Sequence, residues 1–371
     1  MFDINCDEFS LTLPIDVEFL RAEHNVRFFI DAQQNYFNDY VDKIDKKLKL
    51  NQILGNKEIK NSGMNGYTNC HSFGYDSNQV KILYNPNQLN MKLMVKFTAS
   101  ALRNYIYQIK LQLNQDISAM NIIKKLNEID TVRLSRFDIA IDYIDENIKV
   151  QTLFEEYQNR ELMFFNKRNS EIKISNYIGA ESVETLYFNK RSNRSFLRVY
   201  NKKLEQQKNN GDMLKTALNC ESWTRFEFEL KYEYAHEMTK VILSCNNQNE
   251  FIQALAHAFI DCIKIRKLKR IDGAKEIYED TNYYNKIVDI ANNNEKLIST
   301  ISRDRLSSFE PKYKNLSKNG TMALFKMIKE SYSDDDFERF LNMLKNDIDE
   351  FELSKEHKKL VQEEEKHSPF F

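Results

Sequence analysis

The stretch "VRLSRFDIAIDYI", residues 132–144, alternates apolar and polar positions over most of its length, and that alternation decides the fold class. Period-two spacing marks an extended strand, whose successive side chains leave on opposite faces. Phe137, Ile139, Ile141 and Tyr143 share one face; Arg136, Asp138, Ala140 and Asp142 share the other. The first face belongs to a core. The second places two carboxylates four residues apart, roughly 13 Å by strand rise. Aspartate is depleted in strands, so two on one face call for compensation.

Working outward, the same grammar returns in "WTRFEFELK" (223–231), where Arg225, Glu227 and Glu229 oppose Phe226, Phe228 and Leu230. Between these segments "ETLYF" (184–188) and "SFLRVYN" (195–201) also alternate, and the polar "NKRSNRS" (189–195) reads as a hairpin loop. "VQTLFEEYQNRE" (150–161) has helical spacing. Together they predict an α+β domain built on an antiparallel β-sheet with flanking helices. On the N-terminal side, "EFSLTLPIDVEFL" (8–20) is partly extended, "NYFNDYVDKIDKKLKL" (35–50) is helical, "MNGY" (64–67) signals a turn and "NQVKILYN" (78–85) a strand. Residues 89–113 show helical spacing, and Asp116 suits the N-cap of a helix over 117–129. After about Glu233 the pattern turns helical and stays so, which predicts a mainly helical C-terminal region. The boundary falls near 245, giving domains 1–245 and 246–371. The closing "EEEKHSPFF" (363–371) reads as a frayed tail.

With 371 residues, 42% hydrophobic and 29% charged, the chain has the composition of a soluble globular protein. Eight glycines and four prolines leave little room for long irregular loops. A net charge of −1 rules out a globally basic nucleic-acid coat but not a local basic face. Five scattered cysteines without CxxC spacing point to reduced thiols of a cytoplasm. The acidic N-terminus is no signal peptide, and the most apolar run, 250–265, is too short to span a bilayer.

The carboxylates admit two readings. In one, two strands expose a solvated face laced with cross-strand ion pairs. In the other, Asp138, Asp142, Glu227 and Glu229 contribute to a site for Mg²⁺ or Mn²⁺, hard cations that prefer carboxylate oxygens. "SFLRVYNKK" (195–203) bears on the choice. It reads as a strand ending on an exposed-looking Tyr200, which shares a face with Arg198 and Lys202. A free phenol titrates near ~10 and is a weak nucleophile at neutral pH. Cations beside it, and a metal polarising a target phosphate, would make Tyr200 competent, with Lys202 or Lys203 holding a phosphate oxygen or protonating a leaving one. That set of groups is what a metal-assisted phosphodiester transesterification needs.

At these residues the chain resembles the plasmid rolling-circle replication initiators of the Rep_trans family, nicking-closing proteins of Gram-positive plasmids. The resemblance rests on "RFDIAIDY" (136–143), "ETLYFNKRSNRSFLRVYNKK" (184–203) and "WTRFEFELK" (223–231), within a core of about 130–235. It implies a DNA-nicking domain over 1–245 in which Tyr200 attacks the scissile phosphate at a plasmid double-strand origin and becomes linked to the 5′ phosphate. Arg198 and Lys202 assist, and the acids of the two strands serve Mg²⁺ or Mn²⁺. It also implies a homodimer and a host replicative helicase as partner. Other initiators of the wider endonuclease class use a His-hydrophobic-His motif; none of the six histidines here is spaced that way, so the site rests on carboxylates.

"KIRKLKR" (264–270) holds Lys264, Arg266, Lys267, Lys269 and Arg270, the densest basic cluster. It reads either as a solvated helix end or as a contact to the DNA backbone. Lys190, Arg191 and Arg194 in the hairpin loop, with Lys203, are further candidates to clamp DNA. The helical region from 246 is a candidate for origin recognition, without a clear helix-turn-helix. "SDDDFERF" (333–340) reads as an N-cap and acidic first turn. Trp223 is expected in the core and His71 in a loop or the core rather than at a metal, while His236 either assists the second acidic strand or packs or caps. The alternatives are a relaxase of a mobile element, a hydrolytic nuclease in which water attacks, and a non-catalytic DNA-binding regulator.

Overall fold

The computed structural model describes residues 1–17, 20, 26–60, 63–179, 181–272, 275–292 and 321–352. Strand β1 (Phe2–Leu13), helices α1 (Val26–Leu48) and α2 (Leu50–Leu54), and strands β2 (Lys57–Lys60), β3 (Asn69–Phe73), β4 (Val80–Tyr84) and β5 (Leu93–Phe97) open the chain. Helices α3 (Ala99–Leu113) and α4 (Ala119–Asn127) lead into β6 (Arg133–Ile144). Then come α5 (Val150–Gln158), β7 (Leu162–Phe165), β8 (Ile174–Ile178), β9 (Thr185–Phe188) and β10 (Ser195–Asn201). Helices α6 (Lys202–Asn209) and α7 (Leu214–Asn219) precede β11 (Trp223–Lys231). Helices α8 (Tyr232–Ser244) and α9 (Gln248–Ile260), strands β12 (Lys264–Asp272) and β13 (Lys275–Asp280), and α10 (Asn282–Asn292) follow, with α11 (Thr321–Ser331) and α12 (Asp334–Glu350) beyond.

Ten strands form one antiparallel sheet in the order β2-β3-β4-β5-β1-β6-β11-β10-β9-β8, and a smaller antiparallel sheet runs β13-β12-β7. The four alternating segments that decided the fold class are therefore consecutive in the large sheet, as β6, β11, β10 and β9. Their apolar faces build the core. Phe137 meets Phe251 of α9 edge-on at 6.5 Å, Phe228 meets Phe259 at 5.5 Å, and Tyr143 meets Phe226 at 5.3 Å. Each such ring, taken fully out of water, contributes on the order of 1.5–3 kcal/mol.

Several local expectations hold. Residues 189–194 join β9 to β10 as a hairpin, and Ser333 caps α12 by accepting from the amide of Asp336, with Asp334, Asp335 and Asp336 in the first turn. Trp223 and His71 are buried. The five cysteines are free thiols. Among the described residues, no helix is long and apolar enough to cross a membrane. Residues 363–371 lie outside the described residues.

Other expectations are corrected. The run 89–113 is not one helix: Leu93, Val95 and Phe97 alternate into the core as β5, and α3 starts only after Thr98, whose hydroxyl accepts from the amide of Ala101. The cap of α4 is Ser118, not Asp116; the Ser118 amide and hydroxyl both donate to Asn121 Oδ1 at 2.9 Å, while Asp116 pairs with Lys110. The segment "KIRKLKR" is no helix end but β12, held between β7 and β13 with Ile265 buried. The chain divides into two compact units, Met1–Ile301 and Ser302–Phe371. Helix α9 packs on β1, and β12 pairs with β7, so both belong to the first unit.

Candidate active site

The register of the central strands assembles the polar positions into one cluster. Glu229 faces Asp138, Glu227 faces Ala140 and Arg225 faces Asp142 across the β11–β6 ladder. On the other side of β11, Arg198 faces Glu227 and Tyr200 faces Arg225. Strand β1 adds Asp7, which sits at a register shift between Cys6 and Glu8; such bulges re-aim a side chain. Helix α6 packs against β11, and Arg103 of α3 holds both Asp7 and Asp212 of the α6–α7 connection. The charged face is therefore covered, and the expectation of a solvated face is corrected. Asp138 is 1% exposed and Arg225 2%.

Ions buried this deeply persist only when paired. Arg225 forks onto Asp142, with Nε to Oδ1 and Nη2 to Oδ2 both 2.7 Å, and its Nη1 reaches Asp7 Oδ1 at 2.8 Å. Trp223 Nε1 donates to the same Asp142 Oδ1 at 2.7 Å. In a second group, Arg136 donates to both oxygens of Asp138 at 2.9 and 2.6 Å and also pairs with Glu229 (3.1 Å) and Glu8 (3.2 Å). Lys231 completes Glu229.

The third group contains Tyr200. Its hydroxyl donates to Glu227 Oε2 at 3.1 Å, and Arg198 Nη2 donates to that same oxygen at 2.5 Å. The Arg198 guanidinium lies 4.4 Å from the Tyr200 ring centroid, with Lys202 Nζ at 5.7 Å and paired to Glu205 at 2.8 Å. The tyrosine is 4% exposed, so the exposed strand end read from sequence is corrected. It nevertheless lines a cavity of about 160 Å³ with Glu184, Thr185, Arg198, Glu205 and Lys208. Within α6, Gln206 Oε1 accepts from the amide of Met213 and stands where a side chain on Gly211 would go, 2.3 Å from its Cβ position.

Burial governs the protonation states. It pushes the Tyr200 phenol well above its ordinary value; the charge of Glu227 adds to that, and Arg225 and Arg198 pull the other way without prevailing. In the protein alone, Arg198 and Arg225 therefore do not by themselves bring the phenol down. Burial also raises Asp138 well above the carboxylate range, Arg136 opposes the rise, and the charges of Glu227 and Glu229 add to it. Lys202 is lowered by burial and by Arg225. Burial pushes Asp7 up, but Arg225 and Arg103 outweigh it and leave Asp7 lowered.

The basic candidates lie in three places. Lys190, Arg191 and Arg194 are exposed on the β9–β10 loop, where Arg194 pairs with Glu233 and Arg191 approaches Glu229. Lys203 donates to the carbonyls of Cys220 and Glu221. On β12, Arg266, Lys267 and Lys269 pair with Asp280, Glu156 and Glu279; Lys264 reaches Asn169, and Arg270 is exposed. His236 meets Arg133, 2.7 Å from its Nη2. Sequence reading missed Asp7 and Arg103. Their only signal is a carboxylate within β1 and an arginine in the first half of α3, too weak to place either at a site assembled by distant strands.

Whether the carboxylates suit a divalent cation depends on their partners. Asp142 has both oxygens occupied by Arg225 and Trp223. Asp138, Glu227 and Glu229 are hard oxygen donors on adjacent strands that repel one another in a buried setting, an environment favouring added positive charge. They fit such an ion by donor chemistry, and Arg136 now bridges two of them. Among the described residues, no group of three or more His, Cys, Asp or Glu side chains is close enough to hold a metal ion.

Three comparisons bear on this cluster. A family model described as replication initiation factor, the Rep_trans model, matches residues 132–341, more than half of the chain and all of β6, β10 and β11. The rolling circle replication initiator protein of Geobacillus stearothermophilus has a similar structure, with a TM-score of 0.55 at 18% identity, covering 78% of this chain and 97% of that one. No curated protein matches the chain. The resemblance read from the three strands is borne out.

Proposed function

The chain belongs to the replication initiation factor family, and from that premise we propose that it starts rolling-circle replication of a plasmid by nicking one origin strand through Tyr200. The observation that carries this is the placement of Tyr200 on the buried charged face, its hydroxyl 3.1 Å from Glu227 and its ring against the cations of Arg198 and Lys202. The description of the similar Geobacillus stearothermophilus protein supports the rolling-circle reading.

In the proposed reaction the Tyr200 oxygen forms a bond to the scissile phosphorus and the bond from phosphorus to the 3′ oxygen breaks. The phenolic proton has an acceptor in Glu227 Oε2, and Lys202, its pKa lowered, gives a proton to the departing 3′ oxygen. Arg198 holds Glu227 against the tyrosine and supplies positive charge beside the phosphate. Mg²⁺ or Mn²⁺ would polarise the phosphate here only if Asp138, Glu227 and Glu229, which stand too far apart in this structure to hold an ion together, draw in around it; Asp142, the fourth acid, stays on Arg225. The phosphotyrosine link conserves the energy of the broken bond, so the strand can be rejoined without an energy source.

Docking of the negatively charged strand falls to the exposed Lys190, Arg191 and Arg194 and to the cations of β12, with Lys203 steadying the end of α7. Origin recognition is assigned to the region from 246 onward. A homodimer, a host replicative helicase and a cytoplasmic setting complete the proposal by family analogy. The test uses a supercoiled plasmid carrying the DNA that flanks the chain's own coding sequence, with Mg²⁺ or Mn²⁺ and denaturing gels. Wild type should give a protein-linked 5′ end and Tyr200→Phe none. Nicking without any linked end would instead point to attack by water.

A further inference from the structure

The cavity beside Tyr200 has a chemistry of its own. At about 160 Å³ it falls short of the roughly 300 Å³ at which drug-sized pockets begin, so it has room for a single ring system and not for a whole nucleotide. Its lining carries two carboxylates, Glu184 and Glu205, and two cations, Arg198 and Lys208, so the charge cancels. Lys208 Nζ binds both oxygens of Glu184 at 2.8 and 2.7 Å, and Lys202 holds Glu205 at 2.8 Å. A phosphate would find no net attraction there. A neutral heterocycle would find polar edges, the planar Arg198 guanidinium and the Thr185 side chain.

We propose, resting on the nicking reading above, that this cavity receives one unstacked nucleobase next to the scissile phosphate and prefers bases with an exocyclic amino group. Recognition of single strands proceeds by splaying a base onto aromatic or guanidinium planes and reading its edge by hydrogen bonds. A carboxylate offers about four acceptor sites, so Glu184 beside Lys208, and Glu205 beside Lys202 and Gln206, keep capacity for an amino donor. Thymine has no amino group to give them. Because Tyr200 is itself part of the wall, a base seated here brings the adjoining phosphate to the nucleophile.

The test uses the full chain and an oligonucleotide spanning the nick mapped on the plasmid above. Each flanking nucleotide is replaced in turn by an abasic analogue or by thymine, and the single-turnover rate of adduct formation is measured. Wild type should lose about ten-fold or more at one position, with thymine the poorest natural base there. In Glu184→Ala, and in the cavity-filling Thr185→Tyr, the same abasic change should cost less than about three-fold, since the contact it removes is already gone. Binding of the same oligonucleotides to Tyr200→Phe should repeat the wild-type pattern as an affinity, which keeps this test independent of whether Tyr200 is the nucleophile. Equal abasic penalties in wild type and both variants would overturn the proposal, as would thymine being accepted as well as cytosine or adenine.

Discussion

Strand β11 carries Phe226, Phe228 and Leu230 on one face and Arg225, Glu227 and Glu229 on the other, and all six are buried. On the apolar face each ring leaves water for a packed interior and stability grows with the area covered. On the charged face each ion loses its hydration and regains only fixed partners, so the net contribution of the group is near zero. Removing one partner, however, strands the other. The same strand thus holds one face that makes the fold stable and another whose main product is fixed charge geometry, which is what stabilising a phosphate in reaction requires.

The largest effect that would sharpen this contrast is on chemistry alone. Tyr200→Phe should abolish the protein–DNA adduct on denaturing gels while changing stability in urea by only about 1 kcal/mol, the worth of one hydrogen bond to Glu227. Next, Arg225→Met should destabilise by about 3–5 kcal/mol, because Asp142 and Asp7 remain buried without their shared partner. Phe228→Ala should cost a similar amount, about 3–5 kcal/mol, through the cavity it leaves. Nicking per folded molecule separates them: lost in the arginine variant, kept in the phenylalanine variant. Replacing Asp7, Asp142 and Arg225 together by apolar residues, with Trp223→Phe so that no indole donor is left without Asp142, should recover most of the stability. If it does not, the charged face stabilises the fold after all and the contrast breaks.

Much of this was legible in the sequence. Alternation identified β6, β10 and β11 and sorted their side chains correctly onto two faces, because strand geometry fixes side-chain direction locally. It did not say that both faces are covered, since the cover comes from α6 and from Arg103, which pattern alone does not bring to the sheet. For the same reason Tyr200 read as exposed. Strand β12 was missed because its lysines and arginines suit a helix end as well as a strand; Ile263 and Ile265 alternating with Cys262, Lys264 and Arg266 were the available signal. In 89–113 the strand Leu93–Phe97 abuts a helix, and the merged pattern imitates one long helix.

A smaller effect follows from Asp7. Its carboxyl lies below the ordinary value of about 3.9 in the folded chain, so on acidification the unfolded chain takes up the proton first. The stabilisation is therefore complete above about pH 5 and is lost as pH falls through 3.9 toward the lower folded value. Urea titrations between pH 3 and 6 should show a steeper acid loss for wild type than for Asp7→Asn. Equal slopes would mean that Arg225 and Arg103 do not hold Asp7 as tightly as the 2.8 and 2.9 Å contacts indicate.

The smallest effect on stability belongs to an ion pair with the same chemistry as Arg225–Asp142 but a different setting. Lys267 of β12 meets Glu156 of α5 at 2.6 Å, as short as the buried contacts, yet the lysine side chain is 49% exposed. Water screens the attraction and already solvates each ion, so Lys267→Ala should change unfolding free energy by less than about 1 kcal/mol. Its effect should appear instead in DNA affinity measured against salt, where removing one phosphate contact lowers the slope by about 1. A stability loss of several kcal/mol at Lys267 would show that distance rather than burial sets the worth of these pairs, and the distinction between the two faces of β11 would lose its physical basis.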